Sequence, residues 1–209
     1  MRRYSRKLTR MIVCSLAIGF CVAGGIGEVS AAEKKIPARI EADKKLPSGD
    51  MSNGADNFYK SDKVDSQQVS FHNIYNMKVV GNLFVPKTLD KNKKHPAIIV
   101  GHPMGAVKEQ SSNLYAQKMA EQGYVTVSFD LSFWGDSEGQ SRNSVSPDIY
   151  ADDFSAAVDY LSTLSYVDTE NIGVIGICGS GSFAVSEAKI DSRLKAVATV
   201  SMYDMGSAT

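Results

Sequence analysis

Ile172 to Ile177 is an apolar run of strand length, and it breaks at once into Cys178-Gly179-Ser180-Gly181-Ser182 before a helix-compatible segment, Ala184 to Lys189. A strand that turns sharply into a helix around a reactive side chain needs small neighbours, because a Cβ at the flanking positions would collide with the crowded backbone. Gly176 stands two residues before Cys178, and Ser180 and Gly181 stand two and three after it. That spacing predicts a nucleophile elbow carrying Cys178 as a thiol nucleophile, and it commits the chain to strand–helix units. Ser180 is the alternative nucleophile in a looser version of the pattern, but it would move the turn two residues past the end of the apolar strand.

Composition sets the surroundings of that thiol. The chain has 209 residues, of which 43% are hydrophobic and 22% charged, with a formal net charge of zero. This suits one globular domain plus a leader. With neither a basic excess nor a basic-aromatic stripe, nucleic acid is not an expected partner. Arg2, Arg3, Arg6, Lys7 and Arg10 precede the apolar stretch Met11 to Ala23, and Val29-Ser30-Ala31 follows with small residues. The order reads as a secretory signal peptide over residues 1–31, since the apolar stretch is short for a membrane span. Cleavage would leave 18 basic and 22 acidic residues, a formal charge of −4. It would also remove Cys14 and Cys21, making Cys178 the sole thiol of an exported chain that has no internal disulfide. No stable membrane span remains after cleavage, and the expected location is periplasmic or extracellular.

Residues 32–68 are polar and aperiodic and read as a flexible leader, so that the domain itself occupies 69–209. Val69 to Asn73 and Met77 to Val85 suggest an antiparallel hairpin. Pro96 to Gly101 reads as a buried strand, Ser111 to Gln122 as a helix closed by Gly123, and Tyr124 to Phe129 as a second buried strand. Leu131 to Pro147 is a long loop. Asp148 to Leu164 carries a helical apolar stripe, and Leu194 to Val200 is another strand after the elbow and its helix. The alternation predicts an α/β fold: a doubly wound, mostly parallel sheet with an N-terminal antiparallel hairpin. His102, Asp130, Cys178 and Ser201 all follow apolar strands, at the sheet edge where reactive groups collect in such folds. His95, at a strand start, and His72, in the hairpin, read as structural.

Three stretches together resemble the α/β-hydrolase superfamily, in its dienelactone-hydrolase-like branch with cysteine at the elbow. They are Gly176 to Gly181, the loop His102-Pro103-Met104-Gly105, and the turn Asp130 to Ser137. Val107-Lys108-Glu109-Gln110 with the following Leu114-Tyr115-Ala116-Gln117 also resembles a bacterial group of dienelactone-hydrolase-like and X-Pro-peptidase-like proteins. The resemblance covers about Val79 to Gly206. It implies transfer of the acyl group of a small-molecule ester, lactone or related substrate to Cys178, followed by hydrolysis of the thioester, with no cofactor and no metal. It implies an oxyanion hole from the backbone N–H of Gly179 and, because Pro103 has no N–H, that of Met104. It also implies that His102 orders the oxyanion loop.

In this superfamily the acid and the histidine follow the nucleophile. Glu187, Asp191 and Asp204 follow Cys178, but no histidine does. The expectation is therefore a partial domain, truncated after the strand that follows the elbow, inactive by itself and with an open sheet edge. Two other classes compete. One is a non-catalytic exported domain that keeps the scaffold for binding. The other is a dinucleotide-binding oxidoreductase fragment, since Gly179-Ser180-Gly181-Ser182-Phe183-Ala184 follows a strand and Asp204 lies 20 residues beyond Ala184.

Overall fold

β-Branched and aromatic runs build the sheet, and their alternation decides which face each side chain covers. In the computed structural model the described residues are 40–41 and 59–204, within one compact unit spanning Pro37–Thr209. The signal-peptide reading of residues 1–31 and most of the leader reading lie outside them.

The strands are β1 (Ile40–Glu41), β2 (Val64–His72), β3 (Lys78–Pro86), β4 (His95–Gly101), β5 (Val125–Phe129), β6 (Val167–Ile177) and β7 (Leu194–Val200). The helices are α1 (Ser111–Ala120), α2 (Pro147–Ser162) and α3 (Gly179–Ala188). Spatial order is β1-β2-β3-β5-β4-β6-β7. β1, β2 and β3 pair antiparallel, β3 joins β5 antiparallel, and β5, β4, β6 and β7 run parallel. The predicted doubly wound sheet with an antiparallel hairpin is thus the fold observed.

Both faces of the central strands are buried. On β4, Ala97 and Ile99 enter one core with Phe129, Phe154, Leu161 and Phe183, while Val100 enters a second core with Ala116 and Ala120 of α1. On β6, Ile172 and Val174 face the first core, and Ile175 and Ile177 the second. Period-two alternation between two buried faces explains why these strands read as continuous apolar runs. The aromatic cluster is edge-on, with Phe129 to Phe154 at 5.2 Å and Tyr150 to Phe183 at 5.1 Å between centroids, a favoured geometry.

Several boundaries differ from the sequence reading. Order starts before residue 69: β2 begins at Val64, and ahead of it the Ser61 hydroxyl donates to Glu121 at 2.7 Å while the Ser61 N–H donates to Gln117 at 3.0 Å. Asp65, Ser66 and Gln67 are exposed on a strand next to the sheet margin, so the apolar signal was absent there. The helix after the elbow begins at Gly179, five residues ahead of Ala184, because the turn itself supplies its first residues. Pro147 opens α2 at its first turn, where the missing N–H costs nothing. β7 forms the sheet margin among the described residues, and five of its seven residues are exposed.

One buried acid ties the elements around the site together. Asp153 of α2 is fully buried and accepts from the Asn73 side chain (2.8 Å), the Ser132 N–H (2.7 Å) and the Ser132 hydroxyl (2.9 Å). Burial pushes its carboxyl up to about 7, against the pull of those donors. A folded-state value above the ordinary one means that the folded protein binds more protons between roughly pH 4 and 7. Stability from this group is therefore full below pH 4 and declines as pH rises to 7, by roughly 4 kcal/mol at most. Asp153→Asn is expected to flatten that decline in urea midpoints measured from pH 4 to 8. Glu187, pushed to about 7 mainly by burial, titrates in the same window in both proteins. A slope unchanged by the substitution would refute the assignment.

Candidate active site

Cys178 is the single residue between β6 and α3. Its φ of 54° and ψ of −118° are a sparsely populated conformation for a side-chain-bearing residue, and such backbone persists only where its surroundings enforce it. The enforcing bonds are visible. Its N–H donates to Val200 O at 2.9 Å, and its carbonyl accepts from Gly181 N–H at 3.0 Å and Tyr203 N–H at 3.2 Å. The turn can be this tight because position 176 is glycine: a Cβ there would lie 2.4 Å from Ser180 O and 2.6 Å from Gly181 Cα. Cys178 is a free, partly exposed cysteine at the N-terminus of α3, where the helix dipole favours negative charge.

The loop after β4 meets this turn. A Cβ on Gly179 would approach Met104 Cβ to 2.9 Å and Met104 N to 3.5 Å, so the two backbones are in near contact. The structure thus brings together all three residues expected at the site: Cys178, Gly179 and Met104. The Gly179 N–H is in the first turn of α3, which leaves its donors without helical partners. The Met104 N–H donates to no acceptor among the described residues.

His102 is fully buried behind the loop. Its Nε2 accepts the Leu131 N–H at 3.0 Å, so Nδ1 carries the proton and donates to Pro103 O at 2.7 Å. Burial lowers its pKa despite the attraction of Asp130, which keeps the ring neutral. With both nitrogens engaged it is a scaffold for the loop. Ser180, the alternative nucleophile, is also fully buried, and its hydroxyl donates to His102 O at 2.5 Å.

Beyond Met104 the loop is anchored by charge. Lys108 Nζ lies 2.7 Å from Asp130 Oδ2, 2.7 Å from Asp136 Oδ2 and 2.8 Å from Glu109 Oε1, with its side chain 1% exposed. Asp130, at the end of β5, also accepts the backbone N–H groups of Lys108 (2.7 Å) and Asp136 (2.9 Å). Gly135 has φ 48°, and a Cβ there would strike the Asp130 carboxyl at 2.2 Å. In the sequence Lys108 stands out only as part of the Val107-Lys108-Glu109-Gln110 run. A lysine beside Glu109 looks like a solvated run, and the partners that bury it are 22 and 28 residues away.

The remaining candidates fall elsewhere. Asp191 is bound to Arg193 at 2.6 Å, Arg193 reaches Asp159 at 2.6 Å, and Asp204 is exposed. His95 Nε2 pairs with Asp90 O at the opening end of β4. Phe133 is buried in the core, and Trp134 donates to the Tyr150 hydroxyl at 2.6 Å. The Gly-x-Gly-x-x-Ala run follows β6, an interior strand between β4 and β7, rather than opening the first βαβ unit as a dinucleotide site requires. No group of three or more His, Cys, Asp or Glu among the described residues could hold a metal ion. No helix among them is long and apolar enough to cross a membrane.

A parallel sheet with antiparallel leading strands, a strained residue between strand and helix, and a loop from the neighbouring strand over it define the α/β-hydrolase class. Within it, this chain belongs to the dienelactone hydrolase family, whose profile matches residues 83–206. The chain is 53% identical over 148 residues to the uncharacterized protein PA2218 of Pseudomonas aeruginosa, covering 71% of this chain and 40% of that protein. The crystal structure of PA2218 superposes with a TM-score of 0.70 at 47% identity, over 79% of this chain and 49% of that one. The uncharacterized protein YcjY of Escherichia coli is 41% identical over 144 residues, covering 68% of this chain and 47% of that protein. The thiohydrolase aneE of Aspergillus aculeatus is 29% identical over 133 residues, covering 64% and 40%. The chain therefore spans less than half the length of these curated relatives.

Proposed function

We propose that this domain carries the nucleophilic half of an acyl hydrolase, with Cys178 attacking the carbonyl of an ester, lactone or thioester. The observation that carries the reading is the strained Cys178 backbone held between β6 and α3, with Gly179 against Met104. The names of relatives such as the thiohydrolase aneE support acyl chemistry of this kind.

In the proposed step the thiolate of Cys178 forms a bond to the carbonyl carbon, and the carbonyl π pair moves onto oxygen. Two backbone donors, Gly179 and Met104, face that oxyanion. Its collapse breaks the bond to the leaving oxygen or sulfur, which takes up a proton, and a thioester remains on Cys178. Water then releases the carboxylic acid and restores the thiol. Of the three histidines in the chain, none follows Cys178, and His102 is committed to the loop. The 209-residue chain is accordingly proposed to acylate through the Cys178 thiolate alone and to deacylate slowly, so that it does not turn over. Export is also proposed, on the basic, apolar and small-residue order of residues 1–31.

With p-nitrophenyl acetate the chain is expected to release about one equivalent of p-nitrophenolate in a burst and to carry a single acetyl group on the Cys178 peptide, the sign of a slowly hydrolysed acyl-enzyme. Cys178→Ala should remove both. A burst that survives in Cys178→Ala, or an acetyl group found on Ser180, would overturn the reading.

A further inference from the structure

We propose that Ser180 is a positioning residue for the oxyanion hole, acting through the His102–Pro103 peptides to aim the Met104 N–H. The inference rests on the acyl-transfer reading above.

The geometry makes a relay of planar groups. Ser180 is the second residue of α3, and its fully buried hydroxyl donates to His102 O at 2.5 Å, 78 residues away in sequence. That bond crosses directly over Gly101: a Cβ at 101 would lie 2.8 Å from Ser180 Oγ. The residue before His102 is therefore one that leaves room for the serine to reach. The imidazole of the same His102 is fixed from the other side by the Leu131 N–H, and its Nδ1–H holds Pro103 O. Pro103 O belongs to the peptide unit whose N–H is that of Met104. A peptide is planar, and in the trans form its C=O and N–H point in opposite directions. Fixing Pro103 O therefore fixes the direction of the Met104 N–H. Ala106 N–H, donating to Pro103 O at 3.0 Å, adds a second restraint on the same oxygen.

Ser180 is the member of this relay that comes from the nucleophile's own helix. Gly179 also comes close to Met104, where a Cβ on the glycine would lie 2.9 Å from Met104 Cβ, but that closeness is steric and carries no direction. The Ser180–His102 bond thus sets donor and thiol in one frame.

Two reactions of Cys178 separate this role from a structural one. Acylation by p-nitrophenyl acetate develops an oxyanion, whereas exchange with 4,4′-dithiodipyridine takes place at sulfur and develops none. Ser180→Ala is expected to slow the saturated acylation rate by about 10- to 100-fold, short of or equal to the loss of one donor. It should leave the apparent binding constant and the exchange rate within about twofold of the parent. Acylation unchanged within about twofold would overturn the proposal. Acylation and exchange altered together would also overturn it, because Ser180 would then support only the elbow. Failure of the underlying reading looks different: Cys178→Ala would keep the burst whatever Ser180→Ala does.

Discussion

Lys108→Met is expected to cost about 3–5 kcal/mol of unfolding free energy, the penalty for leaving a buried charge without its partner. The side chain is 1% exposed and that of Asp130 is wholly buried. Burial pulls the lysine pKa down, but Asp130 and Glu109 raise it further, and the balance holds it well above the ordinary value. The ammonium is the one cation bonded to three carboxylates in this cluster, so methionine keeps the volume and removes the compensation. Asp130 would retain the two backbone N–H donors of residues 108 and 136, which soften the loss without cancelling it. Equilibrium urea unfolding measures it. The double variant Lys108→Met/Asp130→Asn should recover part of the loss, since the one wholly buried carboxylate of the three is then neutral. A single-variant loss below about 1 kcal/mol, the size of an exposed ion pair, would mean that water reaches the cluster.

The second large effect is steric. Gly176→Ala should destabilise by about 3 kcal/mol or more, at the top of the overpacking range. A methyl group at 176 would come within 2.4 Å of Ser180 O, 2.6 Å of Gly181 Cα and 2.7 Å of Gly181 N. All three are backbone atoms of the first turn of α3, so no side chain can swing away and the elbow itself has to open. Gly173→Ala is the control on the same strand. Its nearest neighbours would be Ala196 O at 3.4 Å and Ala196 Cβ at 3.6 Å, ordinary packing distances, and its cost should stay below about 1.5 kcal/mol. Equal losses at the two positions would show that the elbow is not the source of the constraint at 176.

What could be read from the sequence followed the range of the forces involved. The turn at Cys178 and the central strands rest on local pattern: an apolar run of strand length, then residues without bulk, then a helix. Local pattern picks out Cys178, the family resemblance adds Gly179 and Met104, and the fold sets Gly179 against Met104. Local pattern does not single out Lys108, because whether a lysine is solvated or buried depends on Asp130 and Asp136, which only the fold brings near. Asp153 left a fainter trace. It sits on the same helical stripe as Tyr150, Phe154 and Ala157, and an acid among apolar residues at that spacing signals a buried network. The ordered chain starts earlier than its apolar pattern indicates, because β2 lies near the sheet margin and turns polar residues outward from Asp65 to Gln67. By sequence Ser180 is an alternative nucleophile; only its burial and its bond to His102 O reveal its place behind the turn.

The left-handed backbone at 178 has one more consequence. Holding a residue with a Cβ in that region costs about 1–3 kcal/mol, and glycine would relieve the strain. On the proposed acyl chemistry, stability and reactivity therefore pull this position in opposite directions. The residue that would suit the backbone best is the one with no side chain to react, and the thiol stands where it does against the conformational preference of its own main chain.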